Sequence, residues 1–206
     1  MMRAHHSLPA LVAVLAAAST FSACSTDPVH DDEVSALGPE AANIPQGQYH
    51  RAGQACVVCH GPEGPANTQF SIAGTVFFGP AVNSPPVGVG NVTVQLEDDS
   101  QSKFSVTTNC VGNFWVKPSD WSPAFPVLVS IAGNPEGTAL QQTMQSHVGR
   151  DPSCGDCHAY ATNLNYFETP GLIHLSSTDD PKYMGDPSCA ATPFPNTPIP
   201  FAAGGQ

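Results

Sequence analysis

The sequence contains few charged residues, and basic residues are the scarcest. Only 11% of its 206 residues are charged, with 6 Lys and Arg against 17 Asp and Glu, and the net charge is −11. A typical soluble domain carries about a quarter charged residues. Binding to nucleic acid requires clustered Lys and Arg that contact phosphates, so this composition argues against a nucleic-acid partner. The acidic balance favours basic partners and solubility at a surface.

The sequence also lacks the patterns typical of long helices and of membrane-spanning segments. The main apolar run, residues 8–18, is too short to cross a bilayer as a mature helix. The chain has 21 Pro and 18 Gly, which interrupt regular helices along its length. The composition therefore predicts a mainly β fold with short strands, irregular segments and little long helix.

The N-terminus has the organisation of an export signal. Arg3, His5 and His6 form a polar start, an apolar run follows, and the segment ends in Phe21-Ser22-Ala23-Cys24. Small residues before a cysteine resemble a bacterial lipobox, which implies that Cys24 is lipidated and anchors the mature chain to a membrane. The alternative is an ordinary secretory signal that is cleaved nearby. Either signal predicts an extracytoplasmic protein, and the lipobox predicts lipid anchoring in the outer membrane, the periplasm or the cell surface.

A five-residue motif occurs twice, as Cys56-Val57-Val58-Cys59-His60 and Cys154-Gly155-Asp156-Cys157-His158. C-x-x-C-H is the attachment signature of c-type haem. Two thiols three positions apart can each bond one vinyl group on the same porphyrin edge, and the following histidine is carried to the iron. The motifs predict two covalent haem c groups, with His60 and His158 as proximal iron ligands.

The repeated motif has two other interpretations. Four thiolates and two histidines could ligate zinc, but exported thiols tend to be oxidised, which makes zinc the weaker hypothesis. A simple C-x-x-C disulfide would not require a histidine after each pair. Haem attachment accounts for every residue of both motifs.

Each iron either takes a sixth ligand or stays open, and this separates an electron carrier from an enzyme. The candidate distal ligands are histidines outside the motifs: His50, His147 and His174. The first two precede their motifs at similar spacing, and a histidine so close upstream is expected to cap the other haem rather than its own. Met144 and Met184 are weaker candidates.

The remaining cysteines are Cys110 and Cys189, after four are assigned to haem and one to lipid. Two cysteines left over in an oxidising compartment suggest a disulfide, which would attach the C-terminal segment to the middle of the chain. The sequence does not establish that these two residues are close in space, so two free thiols remain the alternative.

The middle of the chain alternates between apolar and polar residues. The predicted strands lie within 70–78, 92–96, 103–108, 114–116 and 126–131. Short strands at this spacing predict an antiparallel sandwich. The best helix candidate after the signal is the segment 138–147, just before the second motif.

The order Gly74-Thr75-Val76, then residues 92–96, Thr107-Thr108 and Gly112-Asn113-Phe114 resembles carboxypeptidase-regulatory-like and transthyretin-like sandwich modules. The resemblance covers about 60 residues, and it implies a scaffold or adhesion unit that does not catalyse. The predicted architecture is thus a small antiparallel β-sandwich inserted between two short helix-and-loop haem segments.

The predicted division of the chain follows from these patterns. Residues 25–47 are polar and acidic and predict disorder, so His30 in this segment is interpreted as a solvated linker residue. The segments are a signal peptide (1–23), a disordered acidic tether (24–47), a first haem segment (48–67), the β-sandwich (68–132), a second haem segment (133–189) and a Pro-rich tail (190–206).

On the two motifs and the signal, the chain resembles surface-anchored multihaem c-type cytochromes. The resemblance implies extracytoplasmic electron transfer, with other redox proteins or multihaem cytochromes as partners, and an electron carrier in preference to an enzyme. The alternatives are a diheme peroxidase or reductase, and a surface adhesion or structural sandwich with accessory haems. Assembly with further copies of the chain stays open.

Overall fold

The computed structural model describes residues 27–40, 44, 46–81, 86–159, 170–180, 182–183 and 185. The predicted signal, Cys24, Met184, Cys189 and the Pro-rich tail lie outside these residues. The helices are α1 (Pro28–Ala36), α2 (Cys56–His60) and α3 (Cys154–Cys157), with a 3₁₀ turn at Pro135–Gly137. The strands are β1 (Ile72–Thr75), β2 (Thr93–Asp98), β3 (Lys103–Thr107), β4 (Asn113–Val116), β5 (Val127–Gly133) and β6 (Leu140–Thr143). Within the described residues, no helix is long and apolar enough to span a bilayer.

The strands form two antiparallel sheets. Four strands pair in the order β3-β2-β5-β6, and β1 pairs with β4. The register places Leu96 of the central strand β2 between Phe104 of β3 and Val129 of β5. The alternation that predicted these strands reflects this arrangement, because successive side chains of a strand point to opposite faces. The prediction of a mainly β fold with a small antiparallel sandwich and no long helix is confirmed.

The core lies between the two sheets. Ile72 of β1, Phe114 of β4, Leu96 of β2 and Val127 of β5 are almost completely buried in one cluster. Leu175, which follows the second motif by 17 residues, is also fully buried in this cluster. The chain beyond the second motif therefore contributes to the same core as the sandwich.

The segment 138–147, predicted as a helix, contains strand β6 instead. Leu140 pairs with Gly133 and Thr143 with Ser130, which extends the four-stranded sheet by one edge strand. A helix of ten residues is marginal without packing, whereas β5 offers a row of backbone groups that need partners. The sandwich thus extends past residue 132, into the segment predicted to belong to the second haem site.

The acidic segment predicted as a disordered tether contains helix α1. Asp27 caps its first turn, where Oδ1 accepts from the amide of Val29 at 3.0 Å, and Pro28 occupies the first helical position. At the other end, the Arg51 guanidinium donates to the carbonyls of Leu37 and Gly38 at 3.2 and 2.8 Å. Capping and this long-range anchor order a segment whose composition alone suggests disorder.

Candidate functional site

The first motif forms a single helical turn whose N-terminus is completed by the second motif. Ala55 occupies the cap position of α2 and has no side-chain oxygen to accept a hydrogen bond. The amide of Val57 instead donates to Oγ of Ser153, 96 residues away, at 3.2 Å. Ser153 directly precedes the second motif and is 2% exposed. A residue of one motif segment therefore satisfies a backbone donor of the other.

Both motif helices pack on strand β1. The amide of Ala73 donates to the carbonyl of Pro152 at 3.0 Å, so the segment before α3 runs beside β1. A Cβ at Gly74 would lie 2.7 Å from Cβ of Cys154, and a Cβ at Gly155 would lie 2.5 Å from the Gln54 carbonyl oxygen. Two glycines therefore permit the close contacts that bring the motifs together.

The motif thiols are free, and three of the four lie in surroundings that disfavour ionisation. Cys56, Cys59, Cys154 and Cys157 are not disulfide-bonded. Burial raises the pKa of Cys56 to about 12, and burial followed by the neighbouring Cys56 raises the pKa of Cys154 to about 12. Burial also raises the pKa of Cys59. Zinc is bound by thiolates, so the raised pKa values of these three thiols weigh against a zinc site.

The pKa of an acidic residue inside the second motif, Asp156, is also raised. Burial, and then the nearby Asp151 carboxylate, raise the pKa of Asp156 to about 6. Among the described residues, no group of three or more His, Cys, Asp and Glu side chains is arranged to hold a metal ion.

The two motif histidines are oriented in the same way. Nδ1 of His60 lies 2.7 Å from the carbonyl oxygen of Thr68, and Nδ1 of His158 lies 2.8 Å from that of Gly171. A carbonyl oxygen can only accept, so Nδ1 carries the proton in both rings and Nε2 keeps its lone pair. In metalloproteins, a contact of this kind orients the imidazole of a ligating histidine. Burial lowers the pKa of His158, which keeps that ring neutral.

Aromatic rings surround the first motif histidine. Phe70 stacks on His60 with ring centroids 4.2 Å apart, and Phe70 in turn lies 5.9 Å from Trp115 of β4. The ring of His50 lies 5.8 Å from that of His60. The apolar ring faces beside His60 are suited to the edge of a porphyrin.

The candidate distal ligand His50 lies beside its own motif, whereas the sequence suggested that it would cap the other haem. Its Nδ1 accepts from the amide of Gly47 at 3.3 Å and lies 3.6 Å from the Glu40 carboxylate. Burial lowers the pKa of His50, so the ring is neutral and a proton resides on Nε2. This tautomer is opposite to that of the two motif histidines and does not present Nε2 as a ligand.

The other distal candidates differ from one another. Nδ1 of His174 donates to the carbonyl of Ser176 at 2.7 Å, so its Nε2 keeps a lone pair, as in the motif histidines. His174 also acts electrostatically on His158. His147 is exposed, and Met144 packs against the sandwich core. Of the three predicted histidines, only His174 combines partial burial with the ligating tautomer.

Of the two cysteines predicted to pair, only Cys110 lies among the described residues. Cys110 is disulfide-bonded, and the four motif cysteines are free. Cys189 lies outside the described residues, so the pairing with Cys110 stays a prediction.

Sequence reasoning missed the residues that join the motifs. Ser153, Gly74 and Gly155 act through contacts between segments far apart in the chain, and no local pattern identifies them. His30 was interpreted as a linker histidine, yet it lies on the ordered helix α1 with 18% of its side chain exposed. The one available signal was the Asp-Pro pair at 27–28, which is typical of a helix start.

No protein-family model, curated protein or solved structure matches this chain.

Proposed function

We propose that this protein is a diheme c-type cytochrome that transfers electrons outside the cytoplasm. The proposal rests on the two C-x-x-C-H motifs in a chain with an export signal. The observation that carries it is that both motif histidines hold Nδ1 against a backbone carbonyl, at 2.7 and 2.8 Å. Two unrelated segments share the tautomer that an axial ligand requires.

The residues of the site fit covalent haem. Cys56 and Cys59 on α2, and Cys154 and Cys157 on α3, would form the thioethers, and His60 and His158 would ligate the iron. Bound haem would supply the one-electron chemistry, while the protein supplies ligation, orientation and a low dielectric.

Contact between the two motifs supports electron transfer between the haems. Cys56 is close enough to Cys154 to raise its pKa, and Ser153 bonds directly to α2. Porphyrins attached at these adjacent helices would lie near each other, because two thioethers would fix each one. We therefore propose a single diheme unit that exchanges electrons with other redox proteins or multihaem cytochromes, anchored to a membrane through lipidated Cys24.

A count of covalent haem tests this function. The exported chain should give a pyridine haemochrome value of two haems per protein, and Cys154→Ala with Cys157→Ala should give one. His147→Ala, at an exposed position, is the matched control and should retain two. A wild-type protein that carries no covalent haem would rule out the proposal.

Ligand addition separates the carrier from a haem enzyme. A carrier with both irons six-coordinate should neither bind carbon monoxide rapidly when reduced nor turn over peroxide. Rapid carbon monoxide binding at one haem, together with peroxide turnover, would favour the peroxidase or reductase alternative.

A further inference from the structure

A six-coordinate diheme protein needs two distal ligands, and the predicted candidates supply one. His174 has the ligating tautomer, His50 has the opposite one, and His147 is exposed. One iron is therefore left without a distal histidine from the set that the sequence suggested. The inference that follows rests on the proposed function.

His30 has the properties that the missing ligand requires. Its Nε2 is buried and has no hydrogen-bond partner among the described residues. A buried imidazole nitrogen without a partner destabilises the fold, so such an atom calls for an explanation. Its Nδ1 lies 3.8 Å from the carboxylate of Glu33, one helical turn further along α1. Nδ1 of His50 also lies near a carboxylate but accepts from the Gly47 amide, whereas no described amide donates to Nδ1 of His30. The proton of a neutral His30 ring is therefore favoured on Nδ1, beside the carboxylate, which leaves the Nε2 lone pair for a metal.

The helix that carries His30 lies beside both motifs. α1 packs against α2 of the first motif. Glu33, which shares the helix face of His30, acts electrostatically on Asp156 in the second motif. The Arg51 contacts to Leu37 and Gly38 hold the far end of α1 to the loop that leads into the first motif. The helix that carries His30 therefore lies beside the first motif and reaches the second through Glu33.

We propose that His30 is the sixth ligand of one of the two haems, with Glu33 as the group that orients its ring. The Nε2 that has no partner among the described residues would ligate the iron. One imidazole ligates one iron, so His30 serves one haem and the other haem takes its distal ligand elsewhere, with His174 as the candidate. Helix α1 then closes the haem cluster rather than acting as a flexible tether.

The spin state of the oxidised protein tests this assignment. His30→Ala should still contain two covalent haems, and half of its iron should change from low spin to high spin in EPR and optical spectra. Added imidazole should restore the low-spin signal. His30→Met should keep that haem low spin and raise its reduction potential, because a thioether ligand favours the ferrous state. The exposed His147→Ala serves as the matched control and should leave all spectra unchanged.

The outcomes separate this inference from the proposed function. Two haems with an unchanged low-spin spectrum in His30→Ala would overturn the role of His30 while leaving the diheme cytochrome intact. A change in the spin state of both haems would also overturn it, because it would indicate a general loosening of the site. A wild-type chain without covalent haem would instead remove the proposed function.

Discussion

At the scale of single residues, the contact between Ser153 and Val57 joins the two motifs. The Val57 amide is buried against Ser153 Oγ at 3.2 Å and has no local cap, because Ala55 precedes it. Ser153→Ala should lower the free energy of unfolding by about 1–2 kcal/mol, since it leaves a buried donor without an acceptor. Chemical denaturation measures this change in the free energy of unfolding. Ser146→Ala, at an exposed position, is the control, and an equal loss in both variants would contradict the capping role.

Asp98 at the end of β2 makes stability depend on pH. Its Oδ1 accepts from the Ser100 hydroxyl at 2.7 Å and from the Ser102 amide at 2.9 Å, and its Oδ2 accepts from the Ala124 amide at 3.0 Å. These bonds, led by the one from Ser100, hold the pKa of Asp98 below its ordinary value of 3.8. The stabilisation is therefore complete above that value and is lost as the pH falls through the lower, folded-state pKa.

Asp98→Asn tests this pH dependence. The stability difference between the wild type and this variant should be largest near neutral pH and should shrink as the pH falls below 3.8. Denaturation curves over a pH series measure the difference, and the exposed neighbour Asp99→Asn provides the control. A difference that does not vary between neutral and strongly acidic pH would contradict the assignment.

At the scale of elements, the packing of the second motif against the first depends on a glycine. A Cβ at Gly155 would lie 2.5 Å from the carbonyl oxygen of Gln54 and 2.9 Å from the amide nitrogen of Ala55. Gly155→Ala should therefore destabilise the fold by about 1–3 kcal/mol, because backbone atoms must move apart. Gly149→Ala is the control, since nothing lies within 4 Å of its added Cβ. Thermal unfolding compares the two, and equal melting temperatures would show that the motif contact is not tight.

Some of the helices and strands could not be predicted from the local sequence pattern. The strands β2, β3 and β5 were predicted because alternation is a local property that burial of one face imposes. Strand β6 and helix α1 were not, since the first depends on the free edge of β5 and the second on Arg51, more than a dozen residues beyond the helix. Contacts between distant segments override weak local preferences.

At the scale of the whole molecule, the sandwich and the motif segments share one core. Leu175 after the second motif is buried with strands of both sheets, and Ala73 of β1 bonds to Pro152 before α3. The motif segments are therefore not independent of the sandwich, and the protein should unfold in one cooperative transition.

Two probes of unfolding check this cooperativity in the haem-loaded protein. Haem absorbance reports the motif segments, while far-ultraviolet circular dichroism reports the strands of the sandwich. Their denaturation midpoints should coincide. A haem transition that precedes the loss of β-structure would indicate that the motif segments open while the sandwich stays folded.

The sequence by itself determined the chemistry that this protein is expected to perform and most of its strands. C-x-x-C-H is a local motif, because its thiols and histidine must reach one porphyrin from five consecutive residues. The alternation of apolar and polar residues is also local, because burial of one face of a strand imposes it on consecutive residues. Only the tertiary structure decided that the two motifs, nearly a hundred residues apart, meet on β1 through Ser153 and Gly155. It also decided that His30 belongs to an ordered helix beside them, because contact between segments distant in the chain leaves no periodic signal in either one.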